Sequence, residues 1–137
     1  MERTLTILKP DSVKAGKAGA ILAHLEKEGF RFVGLRRTRL SREQARAFYA
    51  VHRERPFYEA LVAFMTEGPV VVAALERADA VAHLRKTMGA TDSRKADPGT
   101  VRQLYGTDIE RNAIHGSDSA ENAAKEIAFF FSEAELI

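Results

Sequence analysis

The sequence contains no cysteine among its 137 residues. This absence excludes a disulfide framework, thiolate metal sites and cysteine nucleophiles. No apolar run approaches the length needed to span a bilayer, and the first residues lack the charged and then apolar pattern of a signal peptide. We therefore expect a soluble, cytoplasmic protein without a membrane partner.

The chain also has little net charge, because 21 Lys and Arg are set against 19 Asp and Glu, leaving a formal charge of +2. This balance favours anionic partners only weakly, and nucleic acid is not expected to be the main partner. Internal repeats, low-complexity segments and Ser/Gly linkers are absent too. With 45% hydrophobic residues, we predict a single domain over residues 1–137 that is long enough to bury a substantial core.

Hydrophobic periodicity predicts an α/β sandwich in which helices cover a small sheet. The continuous apolar run at 70–75 is typical of a central strand covered on both faces. Periodicity does not give the order of the strands. The predicted elements are a strand at 3–9, a helix from 18 that ends before Gly29, a strand at 30–40, two helices after Ser41 and Pro56, a strand at 70–75, a helix at 78–88, a long loop at 90–111, a very short strand at 113–114 and a last helix capped by Asp118 or Ser119.

Two helix starts have specific signals. Ser41 is followed by Gln44 at the spacing of a capping box, in which each side chain satisfies an orphan backbone donor. Pro56 suits the first position of the next helix. The buried stripe predicted for that second helix is Leu61, Phe64 and Met65.

A histidine near the end of the chain admits two interpretations. His115 stands in residues 111–119, between a short apolar pair and a run of Gly, Ser and Asp. It is either a turn or core histidine satisfied by backbone groups, or a nucleophile whose tautomer is set by a neighbour. Gly116 would allow a close approach of backbone or substrate. The candidate orienting partners are Ser117, Asp118 and Glu126.

Residues 90–111 form an irregular segment that is unusually long for a small domain. It contains turn-forming residues at 97–99, one expected helical turn at 100–104 and several apolar residues that could anchor it. We therefore predict that the segment is a functional lid that leads into the histidine stretch.

Four cations stand at the ends of elements or in this loop, and each alone has the pattern of a solvated surface charge. Together with Thr91 and Tyr49 they would form a pocket for a polyphosphate, since guanidinium groups bind phosphate oxygens bidentately. These cations are Lys9, Arg55, Arg85 and Arg102. The chain has no Walker A loop and no Gly-rich kinase signature, so ATP would have to be bound by another route.

At this point a family resemblance appears. Residues 112–119, Asn-Ala-Ile-His-Gly-Ser-Asp-Ser, resemble the signature of nucleoside diphosphate kinases. Further blocks resemble the family in the same order along nearly the whole chain. They are Leu-Lys-Pro-Asp at 8–11, Arg-Pro-Phe at 55–57, Gly-Pro-Val at 68–70, Met-Gly-Ala-Thr at 88–91 and Pro-Gly-Thr-Val-Arg at 98–102.

The resemblance implies a ferredoxin-like core with a four-stranded antiparallel sheet and a cytoplasmic homo-oligomer, either a tetramer or a hexamer. It implies a ping-pong reaction in which His115 takes the γ-phosphoryl group of a nucleoside triphosphate, mainly ATP, and passes it to a nucleoside diphosphate. Broad tolerance of base and sugar is implied as well. Mg²⁺ is the expected cofactor, held mainly by nucleotide phosphates because no carboxylate cage is apparent.

The resemblance also implies roles for individual residues. Lys9 corresponds to a lysine near the γ-phosphate and ribose, Tyr49 to a tyrosine beside the nucleophile, and Asn112 to a ribose ligand. Phe57 corresponds to the aromatic residue on which the base stacks, with Ile109 across from it. The phosphate-binding positions are Arg55, Arg85, Thr91 and Arg102, and the pair that orients His115 is Ser117 and Glu126.

Two other functions are compatible with the residues. One is a non-catalytic regulator that binds nucleotides or, through Arg36, Arg37 and Arg39, nucleic acid. The other is histidine-dependent phosphohydrolysis, which would release inorganic phosphate without an acceptor nucleotide. Because a pure binder needs no nucleophile, the presence of His115 together with the cations favours phosphoryl transfer.

Overall fold

The computed structural model describes all residues from Met1 to Ile137. Its elements are β1 (Glu2–Leu8), α1 (Pro10–Lys14), α2 (Ala18–Lys27), β2 (Arg31–Thr38), α3 (Arg42–Phe48), α4 (Tyr58–Met65), β3 (Val70–Arg77), α5 (Ala80–Met88), α6 (Val101–Tyr105), β4 (Ile114–Gly116) and α7 (Ala120–Phe130). Short 3₁₀ turns lie between α3 and α4, between α5 and α6, and after α7. None of the helices has both the length and the apolar composition needed to cross a membrane.

The four strands form one sheet in the order β2-β3-β1-β4, and every neighbouring pair is antiparallel. The predicted ferredoxin-like sandwich is therefore confirmed. β3 lies inside the sheet, as its continuous apolar run predicts, and residues 70–75 are all buried. β4 is only three residues long and forms an edge beside β1.

Each face of the sheet carries its own hydrophobic core. On β3, Val70, Val72 and Ala74 pack with α3, α4 and α7 on one face, while the alternate residues of the strand pack with α2, α5 and α6 on the other. This division follows from the period of two along a strand, which sends successive side chains to opposite faces. The sheet is thus covered by helices on both sides.

The predicted caps of α3 and α7 are confirmed. Both halves of the Ser41 and Gln44 capping box are present, and Ser119 caps α7 by accepting from the backbone N–H of Asn122. The helical turn expected at 100–104 is α6, with the Thr100 side chain as its cap. The loop at 90–111 is therefore largely built from short ordered turns.

The predicted position of Pro56 is wrong. Pro56 and Phe57 lie in a turn closed by the bond from the Tyr58 N–H to the Arg55 carbonyl, and α4 begins only at Tyr58. The Tyr58 hydroxyl donates to the carbonyl of Arg46. The predicted buried stripe is confirmed at Phe64 and Met65 but not at Leu61. The buried residues of α4 are Tyr58, Val62, Phe64 and Met65, whereas Leu61 is half-buried.

Helix α1 was not predicted as a helix. The sequence indicates a strand end at Pro10 followed by a loop with at most a short turn, but the helix begins at Pro10 itself. Proline is favoured in a first turn because its missing N–H would have no helical partner there. The five residues of α1 are too few to show a helical period in the sequence.

Candidate active site

His115 is presented by the edge strand β4. It pairs with Ile7 of β1, and the Thr6 hydroxyl donates to the His115 carbonyl at 2.8 Å. Its neighbours Ile114 and Gly116 are buried, so the alternation of the strand turns the imidazole away from the core that they enter. The close approach expected at Gly116 is to α5, because a Cβ there would lie 2.4 Å from the sulfur of Met88.

The imidazole has a defined partner on one nitrogen only. Nε2 of His115 lies 2.8 Å from Oε1 of Glu126, and the Ser117 hydroxyl donates to the same oxygen at 2.8 Å. A carboxylate can only accept, so Nε2 carries the hydrogen in the neutral ring and Nδ1 keeps a lone pair. The lone pair of the neutral ring is therefore at Nδ1.

Two aromatic rings flank the imidazole. Phe48 and Tyr49 meet it edge-on, with centroid distances of 5.4 Å and 6.2 Å. The Tyr49 hydroxyl is buried and has no hydrogen-bond partner in the protein. Burial and the nearby Glu126 carboxylate raise the pKa of this phenol well above its usual range. The hydroxyl therefore stays protonated and can donate a hydrogen bond to a ligand.

Arg102 is a buried cation at the base of the site. Its guanidinium donates to the carbonyl of Gly89 at 3.0 Å and to that of Ile114 at 2.9 Å. The Nε–H is buried and has no partner in the protein, so this donor is among those of the guanidinium that are left for a ligand. Burial and the neighbouring Arg85 lower the pKa of Arg102 to about 10, so the group remains cationic at neutral pH. Arg85 itself donates to the Gly116 carbonyl at 3.3 Å.

Lys9 and Asn112 form a second buried polar group. The Lys9 ammonium donates to the Asn112 side-chain oxygen at 2.8 Å. The Asn112 amide donates in turn to the carbonyls of Thr91 at 3.0 Å and Ile109 at 3.2 Å. Burial and the positive charge of Arg102 lower the pKa of Lys9 to about 8. Asn112 thus connects the end of β1 to the loop at 90–111.

A cleft of about 420 Å³ opens over the imidazole. The predicted site residues on its wall are Tyr49, Arg85, Thr91, Arg102, His115 and Glu126. Lys9, Asn112 and Ser117 are buried outside this wall. Arg55, Phe57 and Ile109 are exposed and also lie outside it, although Phe57 contacts the wall residue His52 with a centroid distance of 5.4 Å.

One side of the cleft was largely missed, because the sequence indicated only Asp118 and Glu126 there, as candidate partners of His115. Asp118 accepts from the side chain of Asn122 instead. α7 and the residues before it supply Asp118, Asn122, Lys125 and Phe129 to the wall, beside Glu126. Their spacing of four, three and four residues places them on one helical face, and this period, combined with the predicted position of Glu126, was a usable signal. Phe48 was assigned only to a helix, and nothing in the sequence marked it as a neighbour of His115.

Comparison with known proteins places this arrangement in a family. The family model described as nucleoside diphosphate kinase matches residues 2–136. The chain is 55% identical over 136 residues to the nucleoside diphosphate kinase of Acidiphilium cryptum, covering 99% of this chain and 97% of the relative. It is 56% identical over 137 residues to that of Chlorobaculum tepidum, covering 100% and 98%.

Solved structures agree with the sequence relatives. The Aquifex aeolicus nucleoside diphosphate kinase superposes with a TM-score of 0.97 at 49% identity, covering 99% of each chain. The halophilic nucleoside diphosphate kinase of Halobacterium salinarum, solved in complex with CDP, superposes with a TM-score of 0.95 at 44% identity, covering 99% of this chain and 91% of the other. The chain belongs to the nucleoside diphosphate kinase family and is a phosphotransferase that acts on nucleotides.

Proposed function

We propose that the protein transfers the γ-phosphoryl group of a nucleoside triphosphate, mainly ATP, to a nucleoside diphosphate through a phosphohistidine on His115. The observation that carries this proposal is the imidazole itself. Its Nε2 is bound to Glu126 while Nδ1 is left with a lone pair, in a cleft whose wall also holds Arg85 and Arg102. A nucleophile beside two cations suits phosphoryl transfer better than binding alone.

The reaction would run in two balanced halves. In the first, the Nδ1 lone pair attacks the γ-phosphorus, the bond from that phosphorus to the bridging oxygen breaks, and the electron pair leaves with the nucleoside diphosphate. In the second, a terminal oxygen of another diphosphate attacks the phosphohistidine and the electron pair returns to Nδ1. Glu126 accepts from Nε2 throughout, and Ser117 donates to Glu126, so the ring keeps its orientation.

The cations would stabilise the charge that spreads over the equatorial phosphoryl oxygens. Arg102 has an unpartnered Nε–H for this purpose, and Arg85 lies beside it in the cleft. Lys9 supplies an ammonium held by Asn112. Tyr49 offers a buried hydroxyl and an aromatic ring beside the imidazole, and Thr91 offers a hydroxyl-bearing side chain on the cleft wall.

The proposed site would discriminate little between nucleotide bases. Phe57 is 49% exposed and Ile109 is 60% exposed, so both offer apolar surface to a base without a hydrogen-bonding pattern that selects one. Stacking accepts any base because every base has a π-face, which supports broad tolerance of the base. We propose broad tolerance of the sugar as well. Arg55 would add charge beside Phe57, and Asn112 would contact the ribose. The CDP bound by the Halobacterium salinarum relative supports a diphosphate acceptor.

Mg²⁺ would be held mainly by the nucleotide phosphates. The protein has no group of three or more His, Cys, Asp or Glu side chains that could hold a metal ion. Asp118 and Glu126 are the carboxylates on the cleft wall, and Glu126 already accepts from His115 and Ser117. When bound, the ion would neutralise phosphate charge and orient the polyphosphate.

The proposal also covers the domain organisation, the location and the oligomeric state of the enzyme. Residues 1–137 would act as a single domain, since both hydrophobic cores pack on one sheet. We propose a cytoplasmic homo-oligomer, a tetramer or a hexamer, for which the exposed apolar residues Leu35 and Leu104 supply candidate contact surface.

The test is phosphoenzyme formation. The protein is incubated with γ-labelled ATP and Mg²⁺, and the label is expected on His115 in an acid-labile, base-stable bond that added GDP discharges. His115→Ala is expected to take up none, whereas His24→Ala, at a half-buried position of α2 outside the cleft, should label normally. Uptake of the same label by His115→Ala would refute the proposal.

A second assay separates the alternatives. ATP is supplied with UDP, and UTP and inorganic phosphate are measured together. Phosphoryl transfer predicts UTP with little free phosphate, phosphohydrolysis predicts phosphate without UTP, and a binding module predicts neither.

A further inference from the structure

The chain takes a strained corner just before the nucleophile. Ala113 has a φ of 73°, a left-handed value that residues with a Cβ rarely adopt. The Ile114 N–H donates to the Asn112 carbonyl at 2.9 Å, so the turn closes around the single residue Ala113. This is the hydrogen bond of a γ-turn, a strained form when its central φ is positive. Such strain persists only where the surroundings hold it.

Both backbone groups of Ala113 are held by the segment that follows β1. Its N–H donates to Oδ2 of Asp11 at 3.1 Å, and its carbonyl accepts from the Lys9 N–H at 2.9 Å. The Ser12 hydroxyl lies 2.9 Å from the same carbonyl. Of these contacts, the one from Asp11 is the only one made by a charged side chain, and a hydrogen bond to an ionised group is among the stronger kinds.

This corner lies between two groups with proposed roles. Asn112, on one side, binds the Lys9 ammonium, and His115, two residues beyond the corner, carries the imidazole. A rotation of the Ala113 peptide would therefore move the Lys9 partner relative to the nucleophile. A misplacement of about 1 Å in such a site is enough to cost about a hundredfold in rate.

We propose that Asp11 is a positioning residue for phosphoryl transfer. One of its carboxylate oxygens fixes the Ala113 corner. Its negative charge favours the protonated, positive form of the nearby Lys9 ammonium. The inference rests on the proposed role of Lys9 and His115. It assigns Asp11 no contact with the nucleotide.

The charges around Lys9 support the proposed effect of Asp11 on the Lys9 ammonium. Burial lowers the pKa of Lys9 most and Arg102 lowers it further, whereas Asp11 and Glu110 raise it. Oδ1 of Asp11 is buried and has no hydrogen-bond partner. Burial raises the pKa of Asp11 itself, against bonds from the backbone of Ser12 and Ala113 and the charge of Lys9. Because Glu110 is exposed, its field is screened by water more than that of Asp11.

The two parts are separated by two variants. Asp11→Asn keeps an oxygen that can accept from Ala113 but removes the charge. Lys9 should then lose its proton at lower pH, so the alkaline fall of kcat/KM, near pH 8 if Lys9 has its pKa of about 8, should move to lower pH. Near pH 7, kcat should stay within about threefold, because the corner is kept.

Asp11→Ala removes the corner contact as well, and kcat should fall by about tenfold to a hundredfold. Adding Ala113→Gly should recover part of this loss, because glycine adopts positive φ without strain and does not need Asp11 to hold it there. A purely structural role in folding would give no recovery of kcat by a glycine at the corner. Asp97→Asn, an exposed carboxylate in the loop at 90–111, is the matched control and should leave kcat and the pH profile unchanged.

The measurements are ATP and UDP kinetics from neutral to alkaline pH, with thermal unfolding of every variant. An Asp11→Asn profile that coincides with the wild type overturns the electrostatic part, and an Asp11→Ala, Ala113→Gly protein no more active than Asp11→Ala overturns the positioning part. If Asp11→Ala does not fold, Ala113→Gly in the Asp11→Asn background is compared with Asp11→Asn and must be at least as active. The phosphohistidine assay on the wild type is independent of these outcomes, so a failure of the proposed function would be seen there first.

Discussion

The proposed site has two sides that are built in different ways. The transfer side, made of His115, Ser117, Glu126 and Arg102, lies on or beside β4, α7 and α6, and each of its side chains is bound to another of them or to backbone. The stacking side, Phe57 and Ile109, lies in turns and is about half exposed.

The difference follows from what each side has to do. In the reaction that we propose, in-line phosphoryl transfer depends on the position of a nitrogen and a few cations, and this requirement suits side chains that are held by hydrogen bonds. Stacking depends only on an apolar face, so exposed side chains are adequate. The comparison predicts that substitutions on the transfer side reduce kcat, whereas those on the stacking side raise KM.

The largest effect is expected at Arg102. Arg102→Ala removes a cation from the transferring group and leaves the carbonyls of Gly89 and Ile114 without their donor. The rate of phosphoenzyme formation should fall by about a hundredfold to a thousandfold, and the melting temperature should fall as well. Single-turnover labelling and thermal unfolding measure the two losses. Arg94→Ala, an exposed residue of the same loop, is the control, and retention of more than a tenth of the wild-type rate by Arg102→Ala would contradict the assignment.

An intermediate effect is expected at Glu126. Glu126→Gln keeps the shape of the side chain but replaces the carboxylate with a neutral amide, which can present either an oxygen or an NH₂ group to Nε2 of His115. The first-order rate of phosphohistidine formation should fall by about tenfold to a hundredfold, while nucleotide affinity stays the same. Rapid-quench labelling gives the rate. Glu121→Gln, on the exposed part of α7, should behave as the wild type. If Glu126→Gln changed only KM, Glu126 would not belong to the transfer side.

The smallest effect is expected at Phe57. Phe57→Ala removes the exposed ring, and the loss of about 1–3 kcal/mol of stacking should raise the KM of each nucleotide by about fivefold to a hundredfold. Because the ring is remote from the bond that breaks, kcat should change by less than about threefold. Steady-state kinetics with adenine, guanine and cytosine nucleotides measure both constants. Phe57→Tyr should keep the wild-type KM, and an Ala variant that changes kcat alone would remove the distinction between the two sides.

Much of the fold could be predicted because its signals are local. Ser41 and Gln44 lie three residues apart, and the apolar run at 70–75 marks a central strand without reference to any other segment. The strand order could not be predicted, since it depends on pairings between distant residues such as Thr6 and Gly116. The error at Pro56 arose because a proline is compatible with a turn and with a first helical position alike.

The candidate site shows the same division. The resemblance named His115, Lys9 and Arg102, but burial and partners follow only from tertiary packing. Two donors of Arg102 serve backbone carbonyls, and the Lys9 ammonium is held by Asn112, which no local pattern in the sequence reveals. The corner at Ala113 was equally invisible, because alanine gives no sign of a left-handed conformation.

The place of β4 in the sheet has a consequence for synthesis. This strand is the outer neighbour of β1, yet Thr6 and His115 are 109 residues apart, so one edge of β1 stays open until nearly the whole chain has been made. An open edge of buried, apolar strand residues is a template for pairing with other chains. Since β4 both closes this edge and carries His115, a chain released before β4 would be inactive and prone to aggregate, and the appearance of activity would report the closing of the sheet.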